Sequence, residues 1–264
     1  MKSLSFDGMI QLYDQTRVFD PACFKAALDY FAARFPLETH PQIFEAGIGT
    51  GRIAIPLAQR GYEVTGVDIS GRMLSVLKQK LARLERSLPI SFQQADVTAL
   101  PFLDSAFDMA IAVHLFYFIP DWRKAANEIL RTVKSGHPLI LMHTGMGSEI
   151  PLVNERYKEI CAEHGCPITD IGVKSTGEVV DYLKTLGHAV ETTRGRWRWM
   201  AHVRVHETLR YIRSRAYSFT VLAPDAVHFC AVEQLENEMR RRFTDFSAEI
   251  EVPNEIYYVV VEKR

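Results

Sequence analysis

The chain has 264 residues, 47% of them hydrophobic, which suits one large globular domain or one domain with an insertion. Its 31 lysines and arginines stand against 32 acidic residues, and the formal net charge of -1 excludes a general basic field for nucleic acid. No apolar run reaches about 18 residues, so the sequence predicts no membrane-spanning helix.

The start of the chain and its cysteines bear on the cellular compartment. Residues 1–8 contain no long apolar segment, so we expect no signal peptide. The cysteines Cys23, Cys161, Cys166 and Cys230 form no C-x-x-C pair. We therefore expect reduced thiols in a cytoplasmic protein.

The first 42 residues are predicted to be one or two helices, the second of which runs over 22–35 behind Pro21. Pro36 and Pro41 then separate this region from a first strand that begins at Ile43.

A glycine-rich segment follows this first strand. Ile43 and Phe44 lead into Glu45, and glycines then occupy positions 47, 49 and 51. Residues 52–59 are typical of a helix, and a second strand over 64–67 ends in Asp68. A strand, a glycine turn, a helix and a carboxylate at the tip of the next strand suit a ligand that contains a nucleoside. The glycines let the backbone approach the ligand, and the carboxylate can accept ribose hydroxyls.

The glycine spacing narrows the choice of nucleoside. The dinucleotide fingerprint G-x-G-x-x-G/A would require glycine or alanine at position 52, where this chain has Arg52. A nicotinamide-dependent oxidoreductase is therefore a remote alternative.

Strands and helices continue to alternate up to residue 142. The predicted elements are a helix from Ser70 or Gly71 to about Arg86, a strand over 89–93, a strand over 107–113, a helix over 121–133 and a strand over 138–142. This alternation predicts a parallel sheet with helices on both faces. The segment 45–51, Asp68, Asp96 and His114 each follow one of its strands, so they should share the ligand-binding edge.

Several segments resemble the class I S-adenosylmethionine (AdoMet) methyltransferases. The segment 45–51 resembles motif I of that family, 94–102 its aD(a/v)..LPF segment, 105–108 its sFD entry to strand four, and 130–137 its RvLkpGG turn. Ser135 and His137 depart from that turn. The resemblance covers roughly residues 43–143. It implies a Rossmann-like α/β fold with a seven-stranded, mostly parallel sheet, an antiparallel last strand and a helical insertion.

The resemblance also implies a cofactor site. Glu45 would face the positively charged methionine end, Asp68 the ribose, and Asp96 the adenine amino group, with the next backbone amide at a ring nitrogen. The segment from Tyr13 to Arg17 resembles the family's YD..R segment, which closes over AdoMet. The implied cofactor-binding residues are Tyr13, Arg17, Glu45, Ala46, Gly47, Gly49, Gly51, Asp68, Ile69, Met73, Asp96, Val97 and His114. The cofactor is AdoMet, its product is S-adenosylhomocysteine (AdoHcy), and no metal is expected.

The second half of the chain is less regular. Helices are predicted over 150–164, 175–186, 203–215 and 224–243, strand six over 189–199 and strand seven over 255–262. The helical stretch 203–245 would be an insertion on the substrate side. We thus divide the chain into N-terminal helices that form a lid (1–42), an AdoMet-binding core (43–145) and a substrate-side part (146–264).

Methyl transfer is an in-line displacement that depends mainly on position, so it needs no catalytic signature. His114 and Tyr117 are the candidate catalytic residues, and His143 is a further candidate. The alternative for each is packing or hydrogen bonding beside the ligand. His202 and His206 have the spacing of a metal pair on a helix, but no third ligand is evident.

The region after residue 190 does not identify the acceptor molecule. In strand six, alternation would place Arg194, Arg196 and Arg198 on one face, and Trp197 and Trp199 on the other. Seven arginines of 194–215 stand against Glu207, a local charge of +6. The resemblance implies a methyltransferase for an O, N or C atom of a small acceptor, for which an anionic or aromatic compound is one candidate. Within the family, the glycine loop, the LPF segment and the late helical insertion look most like the ubiquinone/menaquinone-type enzymes. A tRNA-modifying methyltransferase and a non-catalytic AdoMet-binding protein are the alternatives, and the oligomeric state is open.

Overall fold

The computed structural model describes residues 10, 12–145, 149–247 and 249–264. Eight strands form one sheet in the order β3-β2-β1-β4-β5-β8-β6, and β7 pairs with β8 beyond the end of β6. The strands are β1 (Gln42–Ala46), β2 (Glu63–Asp68), β3 (Ile90–Gln94), β4 (Met109–Val113), β5 (Pro138–Thr144), β6 (Ala189–Thr192), β7 (Trp197–Arg204) and β8 (Glu249–Glu262).

Helices cover both faces of the sheet, as the alternating pattern predicts. They are α1 (Pro21–Arg34), α2 (Ala54–Ala58), α3 (Gly71–Ala82), α4 (Trp122–Thr132), α5 (Pro151–Glu163), α6 (Thr176–Thr185), α7 (Val205–Arg213), α8 (Ser218–Val221) and α9 (Asp225–Arg242). Local chemistry sets several of their starts. Asp20 and Ser70 each accept a hydrogen bond from the backbone three residues on, which caps α1 and α3.

The five parallel strands carry a core on each face. In β1, Phe44 points to one face and stacks against Phe107 at 5.2 Å between ring centroids. Ile43 points to the other face and packs in the cluster that contains Phe31 of α1. This two-sided burial explains why β4 is apolar throughout and why residues 43–46 of β1 are apolar except for the buried Glu45.

The antiparallel edge differs from the predicted seven strands, because predicted strand six is two strands. The segment 189–199 ends as a strand at Thr192, turns at Gly195 with φ +87°, and resumes at Trp197 as β7. Both pieces pair with β8, which is longer than the predicted 255–262. The single strand was wrong because sequence alternation continues through a turn whose left-handed residue only the backbone reveals.

A second, smaller core lies beyond this edge. It is formed by α5, β7, α7, α8, α9 and the first half of β8, which we call the cap. Tyr157 of α5 and Ile212 of α7 are completely buried in it. The predicted helices over 203–215 and 224–243 correspond to α7 and α9, but residues 203 and 204 belong to β7, and α8 was not predicted.

The described residues before α1 form turns rather than a helix, and residues 1–9 and 11 lie outside the described part. In the part of the chain that the structure describes, no helix is long and apolar enough to cross a membrane. All four cysteines are free thiols. The division into three parts at 42 and 145 stays a prediction.

Candidate functional site

The glycine segment forms a tight loop at the end of β1. Gly47, Gly49 and Gly51 all have positive φ values, between 54° and 78°. The amide of Gly49 donates to one carboxylate oxygen of Asp68 at 2.9 Å, and the amide of Ser70 donates to the other at 2.8 Å. The loop and the carboxylate at the tip of β2 are therefore held together, as the two motifs predicted.

The loop also requires a glycine in the neighbouring strand. A Cβ atom at Gly66 of β2 would lie 2.3 Å from the Cδ1 atom of Ile48, so Ile48 packs where a side chain would otherwise stand. Gly51 is similarly close to Leu77 of α3, because a Cβ atom at Gly51 would lie 2.5 Å from the Cδ1 atom of Leu77. The backbone of the loop thus lies directly on β2 and α3.

Glu45 is buried beneath this loop and is only 2% exposed. Its carboxyl group accepts a hydrogen bond from the backbone of Ala54 at the start of α2. Its Oε2 atom has no hydrogen-bond partner among the described residues. Burial, and next the charge of Asp68, raise the pKa of Glu45 to about 8, against the opposing effect of Arg52.

The predicted adenine-side residues lie at the same edge. Asp96 follows β3, is exposed, and accepts hydrogen bonds from the backbone and hydroxyl of Thr98 at 2.9 Å. Val97 is buried, and Ile69 is 38% exposed beside Asp68. Met73 is 2% exposed in the first turn of α3, where its side chain packs within the protein.

The N-terminal segment is tied to the glycine loop through Asp14. The hydroxyl of Thr50 donates to Asp14 at 2.7 Å, and Lys80 of α3 lies 2.6 Å from the same carboxylate. Lys80 also donates to the carbonyl of Thr50 at 3.1 Å. This set of contacts brings the predicted Tyr13–Arg17 segment over the loop.

Arg52 is a second tie, and sequence reasoning missed it. Its guanidinium lies 4.4 Å from the ring centroid of Phe19 and donates to the carbonyl of Arg17. Arg17, 7% exposed, in turn lies over the ring of Tyr13 at 4.1 Å. We used Arg52 only to exclude a dinucleotide fingerprint. The aromatic residues upstream were the available signal for a cation–π partner.

His114 joins the ends of β4 and β5. Its backbone is left-handed, with φ 50°, and its Nε2 atom lies 2.8 Å from the carbonyl oxygen of Thr144 and 3.0 Å from its hydroxyl. Burial, and next the neighbouring His143, lower the pKa of His114 to about 3, so the ring is neutral. This geometry makes His114 a neutral connector between two strand ends.

Tyr117 lies in the 3₁₀ turn that follows β4. Its hydroxyl is 3.1 Å from the hydroxyl of Thr176 at the start of α6, and its ring centroid is 6.1 Å from that of His114. The structure thus brings the two predicted catalytic residues together.

A cavity of about 630 Å³ adjoins this group of rings. Its walls come from the end of β5, the start of α5 and the paired β7 and β8, and they include His143, Glu149, Arg198, Trp199, Met200 and Glu255. His143 stacks on Tyr257 at 4.6 Å and meets His114 edge-on at 4.8 Å. Burial lowers the pKa of His143. Its ring therefore connects the cavity to the edge that carries the glycine loop.

The arginines of 194–215 are largely compensated. Arg194 and Arg198 both pair with Glu255, at 3.1 and 3.5 Å. Arg204 pairs with Glu249, Arg213 with Glu236 and Arg215 with Asp225, while Arg196 lies over Tyr30 and Arg210 over Tyr211. The predicted common face of Arg194, Arg196 and Arg198 was wrong, because the first two lie in the turn between β6 and β7.

The two tryptophans and the two histidines of this region also separate. Trp197 is 9% exposed and packs edge-on against Tyr258, whereas Trp199 lines the cavity. His202 lies in β7 and His206 in α7, so they do not share one helix face. Within the described ranges, no three histidine, cysteine or acidic side chains are grouped to hold a metal ion.

Comparison with known proteins agrees with this geometry. Residues 44–141 match the family described as "Methyltransferase domain". The demethylmenaquinone methyltransferase of Thermus thermophilus is 35% identical over 114 residues, which are 42% of this chain and 51% of that protein. A putative methyltransferase of Bacillus subtilis, YqeM, is 32% identical over 130 residues, 49% of each chain. The chain thus spans about half the length of the curated relatives it matches.

Solved structures resemble a larger part of the chain. The YcgJ protein of Bacillus subtilis superposes with a TM-score of 0.61 at 18% identity, covering 91% of this chain and 99% of that one. The phosphoethanolamine N-methyltransferase 2 of Haemonchus contortus, solved with phosphomonomethylethanolamine and AdoHcy, gives a TM-score of 0.55 at 17% identity, covering 97% and 57%. These likenesses show the fold. Residues 44–141 thus match a methyltransferase domain, and the fold of the chain resembles that of a solved N-methyltransferase.

Proposed function

We propose that the protein transfers the methyl group of AdoMet to a small-molecule acceptor held in the cavity beside His143. The observation that carries the proposal is the glycine loop bonded to the carboxylate of Asp68, at the sheet edge that the cavity adjoins. Carboxyl ends of parallel strands are where such folds bind their ligands.

The residues at this edge fit AdoMet. Asp68 would accept the ribose hydroxyls, and Asp96 with the Val97 amide would meet the adenine, beside the apolar Ile69. Glu45 offers a buried oxygen without a described partner, which suits the cationic methionine end. Ala46, Gly47, Gly49, Gly51 and Met73 shape the loop and its support, and Tyr13 and Arg17 close over it. Bound AdoMet supplies a methyl group on a sulfonium sulfur, which leaves readily as a neutral thioether.

The residues that line the cavity restrict the chemical class of the acceptor. Trp199 and Met200 provide an apolar wall, while Arg198 is 69% exposed in its side chain beside Glu255. An aromatic or other apolar body with an anionic group would satisfy both features. A quinone-type or phosphate-bearing acceptor, as the names of the relatives indicate for those proteins, meets this description.

His114 and Tyr117 would position ligands rather than move protons. The imidazole Nε2 of His114 is already close to three atoms of Thr144, and the hydroxyl of Tyr117 is close to Thr176. Their anchored rings would hold the methionine end and exclude water from the path of the methyl group. Their catalytic role stays a prediction.

The proposal is tested by thermal-shift titration with AdoMet, AdoHcy and NADH, each alone. A ligand at about 100 times its dissociation constant adds roughly 2.7 kcal/mol, so AdoMet and AdoHcy should raise the melting temperature by several degrees and NADH should not. Asp68→Ala and Gly49→Val should remove the shift while retaining the fold.

The matched control is Asp29→Ala, which removes an exposed carboxylate of α1 that pairs with Lys25 and Arg60 rather than with the loop. It should keep the full shift. Equal AdoMet affinity in the wild type and in both loop variants would overturn the proposal. Turnover with radiolabelled AdoMet and quinone-type, phenolic and phosphate-bearing acceptors then separates an enzyme from a non-catalytic AdoMet-binding protein.

A further inference from the structure

The buried carboxyl group of Glu45, beneath the glycine loop, is incompletely hydrogen-bonded by the described residues. Glu45 is 2% exposed, and it accepts a hydrogen bond from Ala54 at the start of α2. Its Oε2 atom has no partner among the residues that the structure describes. A buried carboxylate with a bare oxygen is costly, whereas a neutral carboxylic acid at the same position is much less so.

The surroundings of Glu45 favour the neutral form. Its neighbours across β1 are Gly66 of β2 and Ile111 of β4, which supply no charge. Asp68 is the facing acid, and it is held at the loop by the amides of Gly49 and Ser70. Two nearby carboxylates disfavour each other's ionised state.

Arg52 is the cation whose charge opposes these effects at Glu45. Its guanidinium is directed to the N-terminal segment, where it contacts Phe19 and the carbonyl of Arg17. Its charge is therefore shared with other groups and only partly offsets burial. Together these surroundings raise the pKa of Glu45 to about 8.

We propose that Glu45 is the proton-release site of cofactor binding: it is a neutral acid in the free protein and becomes a carboxylate when AdoMet binds. This inference rests on the proposed function. The O–H bond of the Glu45 carboxyl group breaks, the proton passes to the buffer, and the electron pair stays on the carboxylate. The ammonium or sulfonium of the ligand then provides the partner that the buried oxygen lacks.

The charge balance of the site explains why a proton should leave. AdoMet carries an ammonium, a sulfonium and a carboxylate, a net charge of +1, to a loop beneath which the Glu45 carboxyl group is buried. Ionisation of Glu45 adds one negative charge, so the loop and ligand together gain none. Without that step, the cofactor would bury an uncompensated charge, which is strongly unfavourable.

The test is isothermal titration calorimetry with AdoMet at pH 7.0 in phosphate and in Tris buffer, whose ionisation enthalpies differ greatly. Because a group with a pKa of about 8 is about nine-tenths protonated at this pH, the wild type should release close to one proton per AdoMet. Glu45→Gln keeps an acceptor for the Ala54 amide but has no proton to release. Its buffer difference should contain only the contribution of the ligand's own amino group.

Two controls make the result specific. Glu63→Gln changes an exposed acid of β2 and should behave as the wild type does. In the free protein at pH 7, ¹³C NMR of labelled glutamate should show one carboxyl resonance at the position of a neutral acid, and that resonance should be absent from Glu45→Gln.

The outcomes separate the two proposals. Binding with the same buffer dependence in the wild type and Glu45→Gln, or an ionised Glu45 in the free protein at pH 7, overturns the inference while AdoMet binding stands. No AdoMet binding by the wild type in either buffer overturns the proposed function itself. Agreement of both readouts predicts that wild-type affinity rises by about tenfold per pH unit between roughly pH 6 and 7 and less steeply towards pH 8, and that Glu45→Gln loses this dependence.

Discussion

The parallel part of the sheet and the cap differ in how far apart in the sequence their contacting residues lie. At the glycine loop, the amides of Gly49 and Ser70 donate to Asp68, and all three residues belong to two short motifs, the turn after β1 and the end of β2. In the cap, Tyr157 of α5 meets His228 of α9 at 2.7 Å, 71 residues apart. The ligand edge is thus built from short sequence motifs, and the cap from contacts between residues that are distant in the sequence.

This contrast predicts that substitutions divide into two classes. Changes in the cap should alter stability and leave the cofactor affinity nearly unchanged, since the two cores share few residues. Changes at the loop should lower the cofactor affinity, whether or not they also lower stability.

The largest effect is expected for Tyr157→Ala, which removes a fully buried ring and its hydrogen bond to His228. We expect a loss of about 3–5 kcal/mol in the free energy of unfolding, measured with urea. Hydrogen exchange should accelerate in α5, α7 and α9 but not in β1 or β4. Tyr157→Phe, the matched control, should cost about 1–3 kcal/mol. Equal acceleration in β1 and the cap would break the comparison.

Gly66→Val should damage the loop instead. Its side chain would collide with Ile48, at 2.3 Å from the first added carbon, and overpacking typically costs about 1–3 kcal/mol. Displacement of the loop from Asp68 should also lower AdoMet affinity by about 100-fold or more, measured by calorimetry. Gly136→Val is the control, because a Cβ there meets no atom within 4 Å, although its φ of 75° adds strain. Full AdoMet affinity in Gly66→Val would contradict the role of this contact.

Acid should weaken both regions through buried histidines. The pKa values of His114 and His228 are lowered, mainly by burial, so the unfolded chain binds more protons near pH 5. Their contribution to stability is complete above the unfolded pKa of about 6.5 and decreases as pH falls towards the folded value, about 3 for His114. Protonation of His114 should cost about 2 kcal/mol at pH 5, and protonation of His228 should act in the same direction.

Replacing one histidine at a time sharpens the comparison. His228→Asn should flatten the pH dependence of hydrogen exchange in the cap, and His114→Asn that of β4 and β5. Urea unfolding between pH 5 and 8 measures the summed effect of both histidines on the free energy of unfolding. A stability that does not change from pH 7 to 5 would mean that these rings are protonated in the folded protein.

Arg52→Ala should release the N-terminal segment with little change in unfolding free energy. Loss of the contacts with Phe19 and Arg17 is worth about 1–1.5 kcal/mol, so AdoMet affinity should fall by about 5- to 10-fold. Limited proteolysis should cut faster within residues 12–20. Arg60→Ala, which removes a half-buried arginine paired with Asp29, should leave both measurements unchanged. Unchanged cleavage in Arg52→Ala would show that Asp14 alone holds the segment.

The smallest effect is expected for Arg210→Ser together with Arg240→Ser, on the exposed face of the cap. Stability should change by less than about 0.5 kcal/mol, and any tRNA binding should be weak at about 150 mM salt in both proteins. A strong, salt-dependent tRNA affinity that these changes abolish would restore the tRNA-modifying alternative.

The sequence predicted the parallel half well because its signals are local. The starts of three helices are recognisable in the sequence from Pro21, Ser70 and Asp121, and acidic residues follow the ends of the strands. Strand six was predicted wrongly, because its break at Gly195 depends on the pairing of Arg194 and Gly195 with Glu255, 60 residues away. Arg52 was missed for a similar reason, since its partners come from a segment that packs against it only in three dimensions.

The length of β8 limits how the protein can be recombined with its relatives. Its residues 256–262 pair with β5, and its residues 249–256 pair with β7, so one uninterrupted strand belongs to both regions. A chimera that exchanges only the helices between 205 and 242 keeps both registers. An exchange that cuts within 249–256 separates β7 from its partner strand. Exchange of acceptor preference between homologues therefore has natural crossover points at the ends of β7 and α9 rather than within the final strand.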